Sequence, residues 1–174
     1  IAGILARLDK VKDHKTFLEA AHWVLTEREM TFLIAGRGPE EDALKQKVKD
    51  MGLEDRVHFI GYVKDPYSFF NTIDINVLTS VSESFPYVIM EGAIMKKPII
   101  TTRVGGIGRL VVDGENGYLA EIGDWKTIGN HLVKLANDTV LAKNLGERLF
   151  EDTSRKFSYD AMAESHIDTY SQIL

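Results

Sequence analysis

The sequence contains no cysteine. That excludes disulfide bonds, thiolate nucleophiles and zinc–thiolate sites, and it fits a reducing compartment. Excess cationic charge is absent as well: 21 Lys and Arg face 26 Asp and Glu, and a formal charge of −5 argues against a general nucleic-acid binder. No apolar run approaches the roughly 20 residues that span a bilayer, so no transmembrane segment is expected. No basic start leads into an apolar core and a small-residue cleavage site, so no signal peptide is visible and a cytoplasmic location is expected. The histidines (His14, His22, His58, His131 and His166) include no pair at i, i+4 spacing, and no metal site is expected from them.

What remains is the composition of an ordinary globular domain: 174 residues, 44% hydrophobic and 27% charged, evenly mixed. The chain opens as IAGILARLD, an apolar run without Met, and reads as a fragment of a longer protein. Short apolar runs alternate with amphipathic stretches, the pattern of βαβ units. Strands are expected at Ile1–Ala6, Thr31–Ala35, Arg56–Ile60, Asp74–Thr79, Pro98–Thr102 and Gly117–Ala120. Most lack period-2 alternation, as strands covered on both faces do. Helices are expected at His14–Arg28 and at Glu40–Met51, where Gly52 supplies the stop. A further helix follows the fourth strand, and Trp125–Asn137, Val140–Thr153 and Tyr159–Leu174 close the chain. In the last of these, Ala163, Ile167, Tyr170 and Leu174 form one stripe. The fold class is α/β: a single Rossmann-like, doubly wound parallel sheet with helices on both faces.

Ligands of such folds sit beyond the C-terminal ends of the strands, so the residues that follow each strand carry the information. Arg7, Lys10, Lys12, His14 and Lys15 follow the first, Gly36-Arg37-Gly38-Pro39 the second, Ser80 to Pro86 the fourth and Arg103-Val104-Gly105-Gly106 the fifth. Cations, glycines and a helix N-terminus on one edge suit a phosphate-bearing ligand.

Each motif also has a plainer reading. Gly36-x-Gly38 lacks the third glycine of a dinucleotide fingerprint, with Glu41 in its place, and is either a tight turn or a turn facing a nucleoside. Arg7 and Lys12 are either solvated charges or a phosphate clamp. Glu83 and Glu91 stand eight residues apart, but Glu19 and Glu27 share that spacing, so the spacing says nothing by itself. Context separates the pairs: Glu83 follows a strand, and Glu91 lies one to two turns into the next helix, with Ser84 as its expected N-cap and Pro86 in its first turn. Asp74-Ile75-Asn76 falls inside a strand and is read as structural. Gly105-Gly106 and the segment DGENGYL (Asp113–Leu119) are either turn chemistry or close backbone approach to a ligand.

In this order the pieces resemble the C-terminal, donor-binding domain of the group 1 (family 4) retaining glycosyltransferases of GT-B fold, over nearly the whole chain. The resemblance rests on ARLDKVKDHKTFLEAA, FLIAGRGPEEDAL, VHFIGYVKD, FSYDAMAESHIDTYSQIL and, most specifically, SVSESFPYVIMEGAIMKKPIITTRVGGIGRLVVDGENGYL. It implies that Arg7 and Lys12 hold a donor diphosphate and that Gly36 turns beside the nucleoside. The backbone around Tyr62 and Val63 would face the base, Glu83 would contact the sugar hydroxyls and Glu91 the ribose. Backbone N–H groups near Ser84, Phe85 and Pro86 would approach the sugar and phosphates. The implied function is transfer of a hexose-type sugar from a nucleotide diphosphate sugar, without metal or other cofactor. Arg7, Lys12 and Glu83 would be catalytic, the acceptor would be bound by a missing N-terminal domain, and the isolated fragment would be inactive. Rival readings are a sugar-nucleotide epimerase of related fold and a non-catalytic nucleotide-sugar-binding module. Three positions depart from the family pattern: Ala6 and Asp13 stand where glycine is usual, and Arg109 where an acidic residue is usual.

Overall fold

The computed structural model describes residues 1–158, 161, 163, 166, 167 and 169–171. Six parallel strands, β1 (Ala2–Leu5), β2 (Phe32–Ala35), β3 (Val57–Gly61), β4 (Ile75–Leu78), β5 (Ile99–Thr102) and β6 (Tyr118–Ala120), form one sheet. Their order is β3-β2-β1-β4-β5-β6, so the direction of winding reverses between β1 and β4. This is the doubly wound sheet expected from the sequence.

Both faces of the sheet are buried, which is why the strands read as unbroken apolar runs. On β2, Phe32 and Ile34 point into one core with Phe17 of α1 (His14–Glu27) and Ile128 of α5 (Trp125–Asn137). Leu33 and Ala35 point the other way, against Phe69, Phe70 and Ile73 at α3 (Pro66–Thr72). A third cluster joins Ile89 of α4 (Tyr87–Ile94), Ile99 and Leu149 of α6 (Thr139–Lys156). The rings of Phe17 and Phe32 meet edge to face at 5.8 Å, both fully buried. Truncating either to alanine costs about 3–5 kcal/mol.

Four of the helix starts share one device. Asp13, Asp65, Asp124 and Asp138 each turn a carboxylate onto a first-turn N–H, capping α1, α3, α5 and α6. Asp138 does double service, ending α5 and starting α6, so the gap expected between those helices is one residue. The short α3 went unpredicted because seven residues carry no readable period; its signal is Asp65 followed by Pro66 at the first helical position. Glu41–Asp50 forms α2, and Gly52, at φ 66°, turns the chain after it as expected. Of the expected closing helix, the bounding residues Tyr159 and Leu174 lie outside the described residues, while Ile167 and Tyr170 of its stripe are exposed.

Several local expectations are corrected. Ser84 does not cap α4: Pro86 occupies the N-cap, and no side chain bonds the first turn. Pro86 therefore precedes the helix rather than sitting in its first turn. Strand β4 begins at Ile75, so Asp74 lies just before it rather than inside it. Asn76 is buried and donates to the Val88 carbonyl, 3.4 Å away. DGENGYL is structural. Asn116 is buried, accepts from the Val112 N–H at 2.7 Å and donates to the Leu110 carbonyl and to Asp152 on α6. Asp113 accepts the Leu119 N–H at 2.9 Å.

Candidate ligand-binding site

The sheet brings the loops after β1 and β4 side by side at the point where winding reverses. Lys12 and Glu83, far apart in sequence, meet there as an ion pair through Lys12 Nζ and Glu83 Oε1. The Glu83 side chain is only 10% exposed and that of Lys12 24%, so the pair is largely buried between the two loops. Ser80 Oγ donates to the same carboxylate oxygen at 2.7 Å. Glu83 Oε2 takes no hydrogen bond from the described residues. An ammonium has three protons and one serves Glu83, so the other two are left for a second acceptor.

Hydroxyl groups directly after β4 hold these loops in register. Thr79 Oγ1 donates to the carbonyls of Lys12 and Asp13, 2.9 Å from each. The Val81 N–H reaches the Val11 carbonyl at 2.8 Å, and Thr102 Oγ1 donates to the Ser80 carbonyl. Asp13, one of the departures from the family pattern, sits at φ 44°, ψ 53°, which explains why glycine is usual there. Aspartate is among the few other residues that tolerate this region, and here it also caps α1.

The paired glycines work by contact between loops. At Gly36 (φ 136°) a Cβ would lie 1.9 Å from the Ala6 carbonyl oxygen, and at Gly38 2.3 Å from that of Leu8. At Gly105 (φ 48°) it would lie 1.6 Å from the Glu83 carbonyl oxygen, and at Gly106 2.0 Å from that of Ser84. The turn after β2 is thus pressed onto the β1 loop, and the turn after β5 onto the β4 loop. The close approach is real, and its partner is backbone of the same chain.

Arg7, Gly36, Tyr62 and Val63 line a single cleft of about 330 Å³, joined there by Leu5, Ala6 and Arg37. Arg7 leans toward Asp9 at 3.6 Å with most of its side chain in solvent. Phe85 belongs to another hollow on the α4 side, where its ring meets that of Tyr87 edge to face at 5.8 Å and that of Phe157 at a tilt, 5.3 Å away. The backbone N–H groups of Ser84 and Phe85 donate to no partner among the described residues. Glu91 lies on α4, half-buried and without an ion pair or hydrogen bond among the described residues; burial raises its carboxyl above the usual range. No group of three or more His, Asp or Glu side chains converges as a metal site among the described residues.

Sequence reading gave Ser80 no role of its own and passed over Thr79, and it grouped His14 with the cations after β1, where burial instead keeps it neutral. The hydroxyls were signalled by their place at the end of a strand. His14 is 1% exposed with both ring nitrogens unbonded, and burial lowers its pKa to about 4 against a smaller opposing pull from Asp9. A larger hollow of about 550 Å³ lies at the opposite edge of the sheet, between Met30, Asp74 and Pro98, and contains none of the residues expected to bind a donor.

The sequence profile described as "Glycosyl transferases group 1" matches residues 1–152. The chain belongs to this family. N-acetyl-alpha-D-glucosaminyl L-malate synthase of Bacillus anthracis is 32% identical over 170 residues, 98% of this chain and 45% of that protein. A lipopolysaccharide core biosynthesis glycosyltransferase of Rhizobium meliloti, LpsE, is 31% identical over 77% of this chain and 39% of its own length. The chain thus spans less than half the length of these curated relatives. Among solved structures, the C-terminal domain of the group 1 protein LpcC from Francisella tularensis superposes with a TM-score of 0.82 at 30% identity, covering 91% of this chain and 86% of that one. HepE from Anabaena in complex with UDP gives 0.88 at 25% identity over 98% of this chain and 48% of that one. The fold is that of the C-terminal half of a GT-B enzyme, and it places this chain among glycosyltransferases. No helix among the described residues is long and apolar enough to cross a membrane.

Proposed function

We propose that this chain is the donor half of a retaining, metal-independent glycosyltransferase that moves a hexose-type sugar from a nucleotide diphosphate sugar to an acceptor bound by another domain. The observation that carries the reading is the Lys12–Glu83 pair, set across the winding reversal with protons of the ammonium and one carboxylate oxygen to spare. The solved relative holding UDP supports the ligand class.

Cleaving a sugar–diphosphate bond builds negative charge on the departing phosphate, and preorganised donors lower that barrier. Lys12, Arg7 and the uncapped N-terminus of α4 are the donors on this edge. Glu83 holds Lys12 in place and offers Oε2 to a sugar hydroxyl. Glu91, without a partner among the described residues, accepts the ribose hydroxyls. The base enters the cleft of Gly36, Tyr62 and Val63, and the N–H groups of Ser84 and Phe85, with Pro86 behind them, face the sugar and phosphates. Holding both reactants in contact needs a second wall, so the chain alone transfers no sugar. Calorimetric titration with UDP, with and without EDTA, tests the reading. Binding that survives EDTA and falls at least tenfold in Lys12→Met supports it, whereas a strict requirement for a divalent ion refutes it.

A further inference from the structure

The cleft after β1, β2 and β3 holds a second arginine that neither the motif reading nor the mechanism uses. Arg37 stands between two glycines whose α-carbons are pressed onto the backbone of Ala6 and Leu8. Its own carbonyl accepts the Leu8 N–H at 3.0 Å. The stem of Arg37 is therefore fixed, and only its side chain can choose a direction. That side chain lies along the cleft, with Nε 4.0 Å from where a Cβ of Gly61 would stand. Its guanidinium makes no ion pair or hydrogen bond among the described residues. The carboxylate that feels it, Glu41, is already paired with Lys45 at 2.6 Å. Arg7 is different, being drawn toward Asp9.

Leu5, Ala6 and Val63 give this cleft an apolar lining, and Tyr62 offers an exposed ring at its side. Such a slot suits a flat heterocycle, held by its faces and read along its edge. A guanidinium only donates, so the edge it meets must accept. A carbonyl satisfies it, whereas an exocyclic amino group sets N–H against N–H. We infer that Arg37 selects the base of the nucleotide, favouring one with a carbonyl at the edge over one with an amino group there. The inference rests on the donor-binding reading above and adds to it which bases the site takes.

UDP and CDP share every phosphate and ribose atom; their rings differ in a carbonyl against an amino group at the 4-position and in the proton on the neighbouring N3, and GDP and ADP repeat that contrast at the 6-position and N1, guanine carrying a 2-amino group besides. Titrating the wild-type chain with all four should show UDP and GDP bound more tightly than CDP and ADP, by roughly tenfold within each pair. In Arg37→Met the preference should vanish through loss of UDP and GDP affinity, with CDP and ADP nearly unchanged. Arg37→Lys keeps the charge without the planar fork and should restore only part of it. Equal wild-type affinity within each pair overturns the inference. So does equal weakening of UDP and CDP in Arg37→Met, which would place the arginine on the diphosphate. If the wild type binds none of the four, the donor-binding reading itself falls. Arg37 is exposed, so its variants should keep the wild-type melting profile, and a shifted one disqualifies a variant from the comparison.

Discussion

Gly105→Ala tests whether the site is held together by backbone contact between loops. The new methyl group would start 1.6 Å from the Glu83 carbonyl oxygen, well inside contact distance, at a residue with φ 48°. Two costs arise. Placing alanine in the left-handed region costs about 1–2 kcal/mol, and forcing the two loops apart costs about 1–3 kcal/mol as overpacking does elsewhere. The hydrogen bond from the Gly106 N–H to the Glu83 carbonyl, 3.3 Å long, weakens with them. The sum is about 2–5 kcal/mol, which in a domain of this size lowers the melting temperature by about 4–20 °C. Gly114→Ala separates the costs: its φ of 76° carries a backbone penalty, but nothing lies within 4 Å of the added atom. It should lose only about 1–2 kcal/mol and leave UDP binding intact, while Gly105→Ala should lose UDP affinity beyond what instability explains, because Glu83 moves and takes Lys12 with it. Melting curves and calorimetric titration of both variants give the comparison. Equal melting temperatures and unchanged UDP affinity in Gly105→Ala would refute the reasoning.

Glu91→Gln removes a charge that burial already disfavours, so it should melt at or above the wild-type temperature while binding UDP more weakly by about 1.5–3 kcal/mol; a lower melting temperature with intact binding would show that Glu91 serves the fold instead. Buried His14 titrates near pH 4 in the folded chain and near its ordinary 6.5 when unfolded, so the unfolded state binds more protons and stability falls as pH drops from 6.5 toward 4. The loss approaches about 3 kcal/mol, and denaturant titrations across that window should show a smaller loss in His14→Leu, a parallel pH profile sinking the claim. Asn116→Ala strips partners from Val112, Leu110 and Asp152 and should cost about 3 kcal/mol of folding stability in denaturant titration. Its nucleotide affinity should be unchanged, since the segment is part of the frame.

The alternation of apolar runs and amphipathic stretches made the six strands and the longer helices readable, because burial on both faces of a parallel sheet leaves that mark. What escaped was short or non-local. Helix α3 has too few residues for a period, and the cap at α4 was misplaced on Ser84 since a serine before a helix usually caps it while a proline offers no side-chain acceptor. The Glu83–Glu91 motif and the cations after β1 were visible as residues. Their pairing was not, because the meeting of Lys12 with Glu83 depends on β1 and β4 being neighbours, and strand order is not written in local pattern. The two glycine pairs were seen as punctuation, yet which backbone they touch is a property of the assembled loops. Arg37 was visible only as part of a turn, and its exposure and lack of a partner among the described residues become apparent only in three dimensions.

The winding reversal between β1 and β4 also governs when the cleft can come into being. The first half-sheet, β1 to β3, assembles through neighbouring βαβ units, and so does the second, β4 to β6. Joining them closes a loop of about 70 residues between β1 and β4, an entropic cost met only by contacts that form afterwards. Lys12 belongs to the first half and Glu83 to the second. Either half-sheet by itself therefore carries a fragment of the clamp and no site. The power to grip a ligand thus requires the β1–β4 pairing, and ligand affinity gained during refolding would serve as a clock for that closing step.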